Sequence, residues 1–71
     1  MRRKELTARH KAVLTLRAQG LTNKMISAHL GLSENTVADH CHRVIERMDA
    51  HNMDNAIAKA ARQGLLDGVE L

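Results

Sequence analysis

The tripeptide Gly31-Leu32-Ser33 separates two stretches with the apolar spacing of helices, and it constrains the fold more than any other feature of the chain. Glycine can take the left-handed conformation that closes a helix, and serine is a favoured first cap of the next one. Leu32, between them, is expected to point into the core. Two helices joined by so short a turn must meet at a sharp angle, which is the spacing of a helix-turn-helix. Ser27 is small where the second helix has to pack against the third, and Leu32 and Val37 plug the angle between them.

The remaining stretches read the same way. Thr7 can cap a first helix, whose apolar side is Val13, Leu14, Leu16 and Ala18 and which Gly20 ends. Thr22 caps the second, with Ile26 and Leu30 one turn apart on one face. The third runs from Glu34 to Met48, with Val37, Cys41, Val44, Ile45 and Met48 at helical spacing. Asp49–Asn52 is a polar connection. The fourth carries Met53, Ala56, Ile57, Ala60, Ala61, Gly64 and Leu65 on one stripe, where small residues let another helix approach closely. The fold class is therefore all-α, a compact four-helix domain over 6–66. A basic arm (1–5) precedes it and a frayed tail (67–71) follows.

Size and composition agree. A chain of 71 residues supports one core only. It has no proline, phenylalanine, tyrosine or tryptophan, and it is poor in the residues that favour sheets. The single cysteine allows no internal disulfide and suits a reducing cytoplasm. No apolar run approaches the roughly 20 residues of a membrane span. Nothing in the sequence supports catalysis, a cofactor or a small-molecule ligand. Asp39, His40, Cys41 and His42 are all ligand types, but consecutive helical residues point in different directions and cannot close around one ion.

Charge is unevenly spread. Residues 1–20 hold Arg2, Arg3, Lys4, Arg9, Lys11 and Arg17 against Glu5, a net +5. Residues 21–47 balance to zero and residues 48–71 carry −2. A basic end suits a polyanion but also an ordinary solvated surface. The helix spacing fits either a plain helical hairpin in a small bundle or a DNA-binding unit. In the second case the third helix enters, by its N-terminal half, a major groove about 12 Å wide.

Taken together, Leu6-Thr7, Arg9, Val13-Leu14, Leu16, Ala18, Gly20 and Thr22-Asn23-Lys24 make a recognisable series. It continues through Ile26, Leu30-Gly31-Leu32-Ser33, Thr36-Val37, His40, Arg47-Met48, Ala56-Ile57 and Gly64-Leu65. From Leu6 to Leu65 the chain resembles, without gaps, the LuxR/GerE-type helix-turn-helix domain of bacterial transcription regulators. The resemblance implies a third helix that reads double-stranded DNA and a fourth that forms much of a two-fold dimer. It places Thr22, Asn23, Lys24, Ser33, Thr36, Arg43 and Arg47 at the phosphate backbone. It puts Asn35, Ala38, Asp39 and His42 on the arc facing the bases. His40 would serve packing and hydrogen bonding at the helix junction.

The departures from the family are equally specific. His10 and Ala12 stand where glutamates are common, so a usual polar pairing of the first helix is expected to be missing. Ala38 replaces a common lysine, and Asp39 adds an anion beside it. Met53 replaces a common arginine. The expectation is a small stand-alone regulator, cytoplasmic at the bacterial nucleoid. It would be a weak homodimer through the outer strip Ala58, Ala61 and Arg62. The alternative is a protein that heterodimerises with a full-length LuxR-type regulator and spoils its grip on DNA.

Overall fold

A computed structural model describes residues 6–64 and residue 66. Arg2, Arg3 and Lys4 of the basic arm, Leu65, and the tail 67–71 lie outside the described residues. Four helices follow one another: α1 (Ala8–Ala18), α2 (Asn23–Leu30), α3 (Glu34–Arg47) and α4 (Met53–Arg62). The described residues contain no strand.

Each helix begins on a side-chain cap. Thr7, Thr22, Ser33 and Asn52 accept from the backbone amides of His10, Met25, Thr36 and Asn55. Each bond satisfies one of the amides that the first turn leaves without a helical partner. The helices also end alike, on a residue in the left-handed region: Gly20 at φ 98°, Gly31 at φ 70°, Asp49 at φ 57° and Gly64 at φ 75°. At three of these ends the next amide reaches back five residues: Leu21 to Leu16, Leu32 to Ser27, and Ala50 to Ile45, at 2.9–3.1 Å. These are the closing bonds of Schellman turns, and only the third is made without glycine.

The core is aliphatic and small. Val13, Leu14, Ile26, Val37 and Val44 are its largest fully enclosed side chains, and Cys41, Met48, Met53, Ala56, Ala60 and Leu66 complete it. Helix α3 packs against all three other helices, and α1 touches α2 and α4. Among the described residues, α2 and α4 do not meet. Leu32 is half-buried against the core, as its place in the turn predicts.

The α4 stripe is wider than the surface α4 buries. Met53, Ala56 and Ala60 are enclosed and Ile57 is half-buried, but Ala61 and Gly64 are exposed. Among the described helices, α4 is covered by α3 and α1 alone. Leu66, beyond the helix, is buried where the periodicity gave no reason to expect it.

Candidate nucleic-acid interface

Helix α3 divides cleanly into an inner and an outer side. Val37, Cys41, Val44 and Met48 are buried, whereas Asn35, Asp39, His42 and Glu46 recur at the i, i+4, i+7, i+11 spacing of one face and are exposed. Ala38 flanks this exposed stripe and is half-buried; Thr36 and Arg43 flank its other side and are exposed. The domain thus leaves uncovered one face of a 14-residue helix, about 21 Å long at 1.5 Å per residue.

The start of α2 is fastened beside the middle of this helix. The Cys41 thiol donates to Asn23 Oδ1 at 3.7 Å, so the first residue of α2 sits against the eighth of α3. Asn23, expected at phosphate, therefore has its carbonyl oxygen turned inward to α3. Burial pushes the Cys41 thiol up from its ordinary value against the opposing pull of Arg17, which keeps the donor proton in place.

The hydroxyls at the two helix starts are differently employed. Ser33 Oγ accepts the Thr36 amide at 3.0 Å and donates its own proton to Thr36 Oγ1 at 2.9 Å. Both functions of Ser33 are thereby used within the cap, in bonds that do not use the Thr36 hydroxyl proton. Thr22 Oγ1 accepts the Met25 amide at 3.2 Å, a bond that does not use the Thr22 proton. Lys24 is exposed at the second residue of α2. Two helix N-termini with hydroxyls and a lysine make a surface suited to phosphate oxygens.

The cations of α3 are not equivalent. Arg43 Nε lies 3.7 Å from Asp39 Oδ2, one turn earlier on the same face. Arg47 is half-buried and stands close enough to His10 to act on its titration. Glu34, Asp39 and Glu46 are exposed on this helix alongside Arg43, so the outward face is not basic. Glu46 belongs to that face by its spacing alone and is the residue the sequence reading left out.

Behind the interface, the junction of α1 and α3 is built on two imidazoles. The His10 and His40 rings meet edge to face, with centroids 5.3 Å apart and planes at 65°. His10 Nδ1 accepts the Thr7 amide at 3.4 Å while the His10 amide donates to Thr7 Oγ1 at 3.1 Å, a reciprocal cap. The polar pairing expected to be missing from α1 is therefore supplied at the helix start by histidine. Burial lowers the His10 pKa from its ordinary value, assisted by Arg47, His40 and Arg43 and opposed by Asp39. His40 packs as expected, but its Nδ1 is buried without a hydrogen-bond partner among the described residues.

On α4, Ala58, Ala61 and Arg62 are all exposed. Lys59, on the same helix, donates to the Asp49 carbonyl at 2.7 Å and the Met48 carbonyl at 3.3 Å. It ties α4 to the C-terminal end of α3, where carbonyls lack helical partners. Among the described residues no group of three or more His, Cys, Asp or Glu could hold a metal ion.

Two capped helices crossing through a left-handed glycine, with the second presenting an uncovered face, define a helix-turn-helix domain of the trihelical kind extended by a fourth helix. Residues 4–60 match GerE, the bacterial regulatory proteins of the luxR family. The transcriptional regulatory protein YxjL of Bacillus subtilis (strain 168) is 37% identical over 60 residues, which cover 84% of this chain and 28% of YxjL. The quorum sensing-dependent transcriptional regulator RpaR of Rhodopseudomonas palustris is 39% identical over 66 residues, covering 93% of this chain and 27% of RpaR. Among solved structures, the response regulator ChrA of a heme-sensing two-component system superposes with a TM-score of 0.84 at 34% identity. The likeness covers 92% of this chain and 32% of ChrA. The chain belongs to the luxR family of bacterial regulatory proteins. It spans about a third or less of these relatives' lengths.

Proposed function

We propose that the chain binds double-stranded DNA sequence-specifically as a transcription regulator, with α3 lying in the major groove. The observation that carries this reading is the uncovered face of α3, flanked by the hydroxyl-bearing starts of α2 and α3 and by Lys24. A major groove about 12 Å wide accepts one helix. Thr22, Lys24 and Thr36 contact phosphate through a hydroxyl or ammonium, with Asn23, Ser33 and Arg47 supporting the same edge. Asn35, Ala38, Asp39 and His42 face the bases. Asn35 can pair bidentately with adenine, and His42 can donate or accept at a purine edge.

Two copies related by a two-fold axis through Ala58, Ala61 and Arg62 of α4 would place two α3 helices in successive grooves, with half-sites about 10 base pairs apart. The strip buries little area, so the homodimer is weak and DNA strengthens it. The second reading is a heterodimer that weakens a full-length regulator of the same family; the acidic residues on the α3 face favour it.

Anisotropy titration against a pool of random duplexes across a salt series, with sequencing of the retained DNA, tests both. Retention of a two-fold motif, with affinity falling as salt rises, supports the dimeric DNA reader. No retention at low salt removes it and leaves the protein-directed reading.

A further inference from the structure

We infer that Arg43 is a guanine-reading residue and that Asp39 is the group that positions it, the two forming one specificity element on the exposed face of α3. The inference rests on the DNA-binding reading above and moves Arg43 from the phosphate backbone to the bases. The contact is made through Arg43 Nε, 3.7 Å from Asp39 Oδ2. An arginine engaged at Nε keeps both terminal nitrogens available at the far end of the guanidinium. Two parallel N–H donors are what guanine O6 and N7 accept in the major groove.

Stability offers no comparable reason for the pair. The Arg43 and Asp39 side chains are 51% and 61% exposed, and ion pairs of that kind contribute little to folding. Helix α3 is already held by Val37, Cys41 and Val44, and both its ends are capped. A carboxylate on a face that meets phosphates costs affinity unless it does something else there. Here it neutralises and orients the cation beside it, converting general attraction into discrimination.

The two roles leave opposite marks. In selection from randomised duplexes, the unmodified chain is expected to enrich guanine at one fixed position of each half-site. Asp39→Ala, which deletes an anion, should bind random duplex as tightly or more tightly while its guanine preference falls about tenfold. The isosteric Asp39→Asn should do the same. Arg43→Lys keeps the charge but loses the fork, so it should keep affinity to within a few-fold and lose the same preference. Glu46→Gln, on the same face but outside the pair, should raise affinity and leave the preference unchanged. Circular dichroism identifies which variants are folded. Full guanine preference in Asp39→Asn or in Arg43→Lys overturns the inference while leaving DNA binding intact. Failure of the unmodified chain to bind any duplex at low salt overturns the DNA reading and this inference with it.

Discussion

Asp49 holds a backbone conformation, φ 57°, that the other three helix ends give to glycine. A side chain in the left-handed region is strained, and an anion there also faces the negative end of the α3 dipole. The two carbonyls that receive Lys59 belong to the backbone and survive the loss of the carboxylate. Asp49→Gly should therefore raise stability by a few tenths to about 1 kcal/mol, after the extra freedom of glycine in the unfolded chain is subtracted, and thermal melting checks it. His10 gives the pH dependence. Its pKa is lowered from 6.5 in the folded chain, so the unfolded chain binds more protons just below that value. The associated stability is complete above about pH 6.5 and is lost as the pH falls through the folded value. Protonation also replaces the Nδ1 acceptor of the Thr7 cap with a donor and sets a cation beside Arg47. Chemical denaturation from pH 8 to 5 should show this decline, and His10→Gln should flatten it.

At the scale of elements, Lys59 joins α4 to the end of α3 through two carbonyls. Lys59→Met retains the aliphatic stem and removes both bonds, and a loss of about 1 kcal/mol is expected in urea titration, discounted for solvent access. Ala61→Glu places a charge on the exposed strip of α4, away from the core. It should abolish self-association in sedimentation while leaving helicity unchanged; an unaltered dimer would move the interface elsewhere. The helices themselves were readable because their signals are local: a hydroxyl three residues before the amide it caps, a glycine one residue past the last turn. Val37, Cys41, Val44 and Met48 were readable as the buried side of α3 for the same reason, since spacing alone assigns them. What stayed illegible depends on residues brought together by the fold. Nothing local links His10 to His40, Cys41 to Asn23, or Lys59 to Met48. Asp49 escaped notice because aspartate seldom announces a left-handed cap. The Asp39–Arg43 spacing was legible, whereas the atom through which the two meet was not.

The molecule as a whole measures 31 × 29 × 20 Å and is packed with valine, leucine, isoleucine, methionine and alanine, without phenylalanine, tyrosine or tryptophan. Domains of this size are stable by roughly 4–10 kcal/mol, so a single enclosed residue matters. Val44→Ala is expected to cost about 2 kcal/mol and lower the melting temperature by about 10 °C. The electrostatics of the complex also belong to this scale. If α3 enters the groove, Asp39→Lys should strengthen binding to random duplex and steepen its salt dependence, because a repelled group becomes an attracted one. No change would place Asp39 outside the contact. The absence of any contact between α2 and α4 among the described residues has a further consequence. On the proposed reading α2 borders the groove-facing edge and α4 carries the strip for a second copy, and substitutions on their outer faces do not touch one another. Their free energies should simply add, and the two surfaces can be remodelled one at a time. A substitution on the buried side of α3 enjoys no such latitude, because that side packs against three helices at once.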